Sequence, residues 1–478
     1  MAGFLWGCSG SPGGGETFSP SDVESTGGDY VPGEVIVRIG PGMNSANAAS
    51  VVSGTVSREF SVAGMSFAVI KLGGGTVEEA VSLLEETPGI DYAHPNHIYR
   101  TTLAPDDPYY ESRQYCHQRM DSQGAWDVTT GSPGVVVAIV DTGVNGTHQE
   151  FSGRMVAGYD YINNRPLMGT EDSDGAGHGT HVAGIVAATG NNGIGVAGLD
   201  WQCGIMPVKV LSDEGYGSDV GVAQGIQFAV DNGADIINMS LGGPGYAQVM
   251  QDAINHANDN GVLVVVSMGN DAMKLPSYPA ACQGVIAVGS TDGNDLVSGF
   301  STRGNHISVS APGCSIFSTY IGGSSSYRTL SGTSMSSPQV SGLASLLMGL
   351  NPGWAPSRVR SVIENTADDI DQPGFDINSG YGRINCASAV NSSTADRYGA
   401  MSITVRDGGV VQTGVNVVVR NSTGGTVAST RTAGNGVAYF FFLPGGNYIA
   451  SSHIGGSTVE TGTLTVSPGA TISTTIDF

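Results

Sequence analysis

Four short stretches of this chain set chemically able side chains at the ends of apolar runs. In Leu330-Ser331-Gly332-Thr333-Ser334-Met335-Ser336-Ser337-Pro338, one serine stands among small residues ahead of Val340 to Leu350, a run apolar nearly all round. Such a run reads as a buried helix, and its unpaired N-terminal amides favour a developing negative charge beside Ser334. Val135 to Val140 reads as a buried strand that delivers Asp141 at its C-terminal end. Asp174-Gly175-Ala176-Gly177-His178-Gly179-Thr180-His181 brings His178 in on a glycine-rich approach to a helix, and Val264-Val265-Val266-Ser267-Met268-Gly269-Asn270 ends a strand on an amide. Each has a plainer reading alone: an N-capping serine, a turn-capping aspartate, a packed histidine, a turn asparagine. Together they supply a nucleophile, a group to orient a base, the base, and an oxyanion donor.

The elements that must hold these groups alternate along the chain. Strands are expected at Val135 to Val140, Ile205 to Val210, Ile236 to Met239, Val262 to Val266, Val285 to Val288 and Ile307 to Val309. Helices fall between and after them, at Gly179 to Ala188, Asp219 to Asn232, Ala247 to Asn260, Pro338 to Leu350 and Ser357 to Asn365. Apolar strands alternating with helices predict an α/β fold, a doubly wound parallel sheet covered on both faces, with its chemistry at the carboxyl ends of the strands.

Two further units flank it. Residues 32–101 read as a small α+β domain of ferredoxin-like type in the order strand, helix, strand, helix, strand. Residues 398–478 are short alternating strands broken by Gly-Gly, Asn-Gly and Pro-Gly, which predict a β-sandwich. Residues 1–31 are a Gly/Ser/Pro-rich linker. At their start, Leu5-Trp6-Gly7-Cys8 resembles the end of a bacterial lipoprotein signal with Cys8 as the lipidated residue, although its apolar region is far shorter than a signal needs.

Composition narrows the function. With 19 basic against 42 acidic residues the net charge is −23, which argues against nucleic acid or an anionic membrane as a partner. No run of about 18 apolar residues exists to span a bilayer. The 6 cysteines follow no CxxC or metal-ligand spacing. His178 and His181, at i and i+3, lack a third ligand at a useful spacing, so His181 reads as a packed helix histidine.

The segments VVAIVDTGV, GHGTHVAGIVAA, INMSLGG, VVSMGN and SGTSMSSPQVSG resemble the signatures of subtilisin-like serine proteases over residues 106–395. DDPYYESRQY and TGNNGIGVAG resemble the thermitase-type branch. The resemblance implies a serine endopeptidase in which Ser334 is the nucleophile, His178 the base, Asp141 its orienter and Asn270 the oxyanion donor. It implies that Ser240, Leu241, Gly242 and Gly243 form the edge strand that pairs with substrate before the cut, with Gly215, Tyr216 and Gly217 as the opposite wall. Gly269, with Met268 beside it, implies a pocket for a hydrophobic or aromatic P1 side chain. It also implies a structural Ca2+ held by the side chains of Asp107, Glu150 and Asn192 and the carbonyls of Thr189, Ile194 and Val196. A second calcium loop is not conveyed, since residues 163–173 differ in length; Asp160, Asp172 and Asp174 are its candidates and read rather as solvated loop acids.

By the same resemblance, residues 33–100 are an inhibitory propeptide, cleaved between Tyr99 and Asp106 so that Asp107 joins the calcium site. The implied product is an exported or cell-envelope monomer acting on proteins or peptides. The last eighty residues resemble transthyretin-like regulatory domains. The sequence departs from the family in having Gln339 where a histidine is usual, and Ser336 and Ser341 where small or apolar residues are commoner. The rival readings are a secreted binding protein that has lost catalysis, a maturation protease of narrow specificity, and a lipase or esterase; the last would need a GxSxG elbow, which Gly332-Thr333-Ser334-Met335-Ser336 lacks.

Overall fold

The computed structural model describes residues 30–97, 104–272 and 275–478. Cys8, with the leader, and most of the stretch expected to be cleaved lie outside the described residues. The chain divides into two compact units at residues 101 and 102.

The first unit runs β1 (Tyr30–Ile39), α1 (Ser45–Val51), β2 (Thr55–Val62), β3 (Met65–Lys71), α2 (Val77–Glu85) and β4 (Ile90–His97), with the sheet in the order β2-β3-β1-β4. Strand β2 was not expected from sequence. It lies at the edge of the sheet with no residue fully buried, so its text carries no apolar alternation. Helix α2 opens on a reciprocal capping box between Thr76 and Glu79. Val35, Val37, Ala68, Ile70 and Leu84 form its core.

The second unit is built on a sheet in the order β12-β11-β10-β9-β5-β8-β6-β7. Its strands are β5 (Val136–Asp141), β6 (Gly158–Asp160), β7 (Arg165–Leu167), β8 (Gly204–Lys209), β9 (Ile236–Met239), β10 (Leu263–Ser267), β11 (Ile286–Thr291) and β12 (Val309–Pro312). All pair in parallel except β7, which closes the edge antiparallel to β6. The central strand shows why the sheet is double-faced. Val137 and Ile139 enter one hydrophobic cluster and Ala138 and Val140 the other, because successive side chains point to opposite faces.

On the first face pack α3 (His178–Ala187) and, after the hairpin β13 (Ile316–Tyr320) and β14 (Ser326–Leu330), the long α6 (Thr333–Leu350). On the second pack α4 (Asp219–Asp231) and α5 (Gln248–Asp259). Helix α6 begins at Thr333, five residues before the start expected at Pro338, so the proline lies inside the helix and Ser334 in its first turn. The small polar text of Thr333 to Ser337 hid that turn. These residues are buried or nearly so, and burial overrides their modest helix propensity. The described cysteines, Cys116, Cys203, Cys282, Cys314 and Cys386, are all unpaired, and burial pushes the Cys116 thiol up to about 11 and those of Cys282 and Cys386 to about 12.

After α7 (Pro356–Asn365) the chain enters a two-sheet sandwich. One sheet holds β15 (Tyr398–Asp407), β16 (Val410–Val411), β19 (Val437–Pro444) and β23 (Thr471–Asp477). The other holds β17 (Asn416–Asn421), β18 (Thr426–Arg431), β20 (Gly446–Ile454), β21 (Ser457–Glu460) and β22 (Leu464–Val466). Tyr398 and Phe442 leave the sandwich core and join the cluster beneath α6. Between them lies Arg360 of α7, its guanidinium carbon 5.0 Å from one ring centroid and 4.5 Å from the other. It donates to Glu364 Oε1 at 2.6 Å and to the Val285 carbonyl at 3.0 Å, and Tyr398 Oη donates to the other oxygen of Glu364. Removing one member of a buried pair leaves the other charge uncompensated, at about 3–5 kcal/mol. Arg360→Ala is therefore expected to lower the urea midpoint and to open the 391–398 link to limited proteolysis. An unchanged midpoint and cleavage pattern would show that this cluster does not hold the junction.

Candidate active site

Asp141 ends β5, fully buried, and its Oδ1 accepts from the Thr142 amide at 2.7 Å and pairs with His178 Nδ1 at 2.7 Å. His178 opens α3, about a third exposed. The two meet because glycines let backbones touch. A Cβ at Gly179 would lie 2.0 Å from the Gly143 carbonyl, and Gly143 itself has φ +107° with the Ser173 carbonyl 2.3 Å from where its Cβ would be. Burial disfavours the charged ring of His178, but the Asp141 charge and hydrogen bond, with Asp174 further off, outweigh it and hold the imidazole above its ordinary range. His181 is fully buried, its Nε2 on the carbonyls of Ile316 and Arg328, and burial takes it down to about 3. Among the described residues no three His, Cys, Asp or Glu side chains gather into a metal cluster.

Two of the supposed solvated acids are buried instead. Asp174 accepts from the amides of Ala176, Gly177 and Thr180 and from the hydroxyls of Thr142 and Thr180, folding the turn that leads into His178. Asp160 takes the amides of Ile162 and Asn163. Each caps its own loop: Asp174 stands four residues ahead of α3 on a glycine-rich turn, and Asp160 at the end of β6 takes the amides of the turn into β7. Only Asp172 is exposed. Buried Lys209, at the end of β8 beside Asp141, donates to the Thr142 carbonyl and to Asp213 on the cleft loop, a role visible only once the strands are paired.

Ser334 lies in the first turn of α6 and faces β9 through Ser240. Pro338 stands four residues on and has no N–H to give to the Ser334 carbonyl. That freed oxygen accepts from Ser240 Oγ at 2.8 Å, while Ser334 Oγ donates to the Ser240 carbonyl at 3.3 Å. Asn238 donates to Ser240 Oγ at 3.0 Å and accepts from Ser337 and Ser341, each at 2.9 Å. Ser341, a departure from the family pattern, is thus a bonded member of this chain. Gln339 and Ser336, the other departures, are fully buried with side-chain polar atoms that have no partner among the described residues.

Asn270 is oriented by Thr333, whose amide donates to its Oδ1 at 2.9 Å and whose hydroxyl does so at 3.1 Å. With Oδ1 taken, its amide N–H groups remain as donors beside the α6 N-terminus. Thr333 also accepts from the Gly269 amide, so one buried hydroxyl sets both residues. The expected substrate residues gather in two adjoining depressions. One, of about 720 Å3, is lined by His178, by Gly215, Tyr216 and Gly217, and by Ser240 to Gly243. The other, of about 440 Å3, shares Leu241, Gly242 and Gly243 and adds Gly269, Asn270 and Ser334. Met268 lines neither. It is fully buried in the second cluster, since the strand's alternation turns it inward.

Of the residues expected to hold calcium, the side chains of Asp107, Glu150 and Asn192 lie around the 189–196 loop. Asp107 Oδ2 accepts the Asn191 amide, while its buried Oδ1 has no partner. Glu150 accepts from the Val196 amide, Tyr327 and Asn192, and its backbone carbonyl takes Thr189. Asn192 Oδ1 accepts the Ile194 amide. Burial raises both carboxyls, and the charge of Asp107 raises Glu150 further. Two buried carboxylates with an orphaned oxygen, beside a carbonyl-rich loop, fit a hard cation.

Comparison with known proteins gives the following. The sequence model of the Subtilase family matches residues 132–382, and that of the Fervidolysin N-terminal prodomain matches residues 19–96. The Thermophilic serine proteinase of Bacillus sp. (strain AK1) is 39% identical over 378 residues, covering 78% of this chain and 91% of that protein. Thermitase of Thermoactinomyces vulgaris is 44% identical over 286 residues, covering 60% of this chain and 99% of its own. The crystal structure of fervidolysin from Fervidobacterium pennivorans, described as a keratinolytic enzyme related to subtilisin, superposes with a TM-score of 0.65 at 29% identity. It covers 94% of this chain and 79% of that one.

The balance at His178 is open to direct measurement. Its ring is expected to titrate above the ordinary imidazole range by NMR, and Asp141→Asn to lower it, because burial is then opposed only by the more distant Asp174. A midpoint unmoved by the substitution would mean that Asp141 does not set the charge of the ring.

Proposed function

The chain belongs to the subtilase family of serine endopeptidases and carries a fervidolysin-like prodomain, and on that premise we propose that Asp141, His178 and Ser334 are its catalytic triad and Asn270 its oxyanion donor. The observation that carries this reading is the 2.7 Å bond between buried Asp141 and the partly exposed His178, opening on the cleft walled by Ser240 to Gly243. A substrate strand adds to that wall. Rotation about the Ser334 Cα–Cβ bond turns the hydroxyl from Ser240 to His178 Nε2, which takes its proton as Oγ attacks the scissile carbonyl. Asp141 keeps Nδ1–H in place and stabilises the imidazolium, which then protonates the leaving amine. The Asn270 amide and the Ser334 N–H receive the tetrahedral oxyanion, a donor of this kind being worth about 3 kcal/mol of barrier. Gly269, Leu241 and Pro244 shape a pocket that suits a hydrophobic or aromatic P1 side chain.

In this reading the precursor is exported with Cys8 as its lipid anchor, and residues 33–100 are an intramolecular inhibitor removed by self-cleavage, which frees the product from that anchor. Intact mass followed over time separates the possibilities. The native chain is expected to lose about its first hundred residues and the Ser334→Ala chain to stay whole. Loss of the same fragment from both would place the cleaving agent outside the chain.

Asp107, Glu150 and Asn192 would hold Ca2+ together with carbonyls of Thr189, Ile194 and Val196, and bound there it supplies charge neutralisation and ties the 104–109 stretch to the 189–196 loop. A ligand at a hundred times its Kd stabilises by about 2.7 kcal/mol. Calcium is therefore expected to raise the melting temperature over that in chelator, and Asp107→Asn to erase most of the difference. Equal melting of the native chain in both conditions would remove calcium from the account.

A further inference from the structure

The accessory sandwich offers a strand with one free edge. β18 ends its sheet and is paired with β17 alone. All six of its residues, Thr426 to Arg431, line a groove of about 450 Å3 whose facing wall comes from the catalytic part: Tyr246, Gln251 and Tyr278 among others. An unpaired edge presents amides and carbonyls in register for another extended chain, and Thr-Val-Ala-Ser-Thr-Arg contains neither the proline nor the lysine that commonly blunts one. Val427 is 40% exposed and Tyr246 47%, so the groove has apolar surface to cover.

Tyr278 joins this groove to the substrate cleft. It lines both. Its backbone exchanges two hydrogen bonds with Gly243, each 2.8 Å, at the end of the wall assigned to residues before the cut. Its ring meets that of Tyr246 edge-on, 5.4 Å between centroids, and the Arg431 charge reaches the Tyr246 hydroxyl. The Arg360 cluster fixes the sandwich to the catalytic core, so β18 is a set feature of the surface.

We propose that β18 and its groove form an exosite for the stretch of an extended polypeptide substrate that lies N-terminal to the residues held by Ser240 to Gly243. The stretch adds to the free edge by strand pairing, with its apolar side chains against Val427 and Tyr246. This rests on the catalytic reading given above. Its consequence is a preference for long, unfolded chains over short peptides, arising from a domain that takes no part in bond cleavage.

The test compares a chromogenic tetrapeptide with the same peptide lengthened by six residues at its N-terminus, on the processed chain. Extension is expected to raise kcat/KM by about tenfold, equivalent to ~1.4 kcal/mol, mostly through KM. Ser429→Pro, which removes a strand donor, and Val427→Asp, which charges the groove, are each expected to abolish that gain while leaving the tetrapeptide rate unchanged. The unchanged rate shows that the catalytic part is folded, and an unchanged urea midpoint that the sandwich is. No gain from extension, or a gain that survives both substitutions, overturns the exosite. If the unaltered chain does not turn over the tetrapeptide, the catalytic reading falls, and this one with it.

Discussion

A missing hydrogen bond organises the carboxyl end of the central sheet of this molecule. Pro338, one turn beyond Ser334, cannot close the helical bond to the Ser334 carbonyl, and the freed acceptor is taken by the hydroxyl of Ser240. A lone buried carbonyl would be costly. Here it becomes the fastening between the helix that carries Ser334, the proposed nucleophile, and the strand end at Ser240, the proposed substrate wall. Asn238 continues the fastening inward, bound by Ser337 and Ser341 one helical turn apart. The position of Ser334 relative to the wall is thereby a property of the packed core, not of a loop.

The histidine is placed by a different device. Its neighbours are backbones brought into contact by Gly143 and Gly179, and its charge balance is set by carboxylates on either side of the approach. Asp141 acts through direct contact and Asp174 through the turn it folds. Lys209 anchors the far side by tying the Thr142 carbonyl to Asp213, so that the cleft loop and the Asp141 strand end share one cation. Dipoles fixed in this way before any substrate arrives are what charge stabilisation of a transition state requires.

Much of this was legible in the text of the chain. The central strands announced themselves as β-branched runs because they are buried on both faces, and the residues that close them, Asp141 and Asn270, stood out as polar stops. What was hidden was hidden for physical reasons. The first turn of α6 is written in Gly, Thr and Ser, residues that read as a loop until tertiary burial is known. β2 carries little alternation because it is an edge strand on which Val56 and Phe60 alone are partly covered. Asp160 and Asp174 looked like solvated acids because their amide donors lie within their own turns and leave no mark on composition. Lys209 and Thr333 act through partners distant in sequence, and pairing across the sheet had to be seen before either had a role.

The unpaired cysteines have a consequence for the conditions this molecule tolerates. Nothing covalent closes its described loops, and the thiols of Cys116, Cys282 and Cys386 lie in the core, where burial keeps them protonated and unreactive through neutral and mildly alkaline solution. A reductant therefore finds no bond here to break. Proteins crosslinked by disulfides lose those restraints in the same mixture, whereas this fold keeps every restraint that its described residues show.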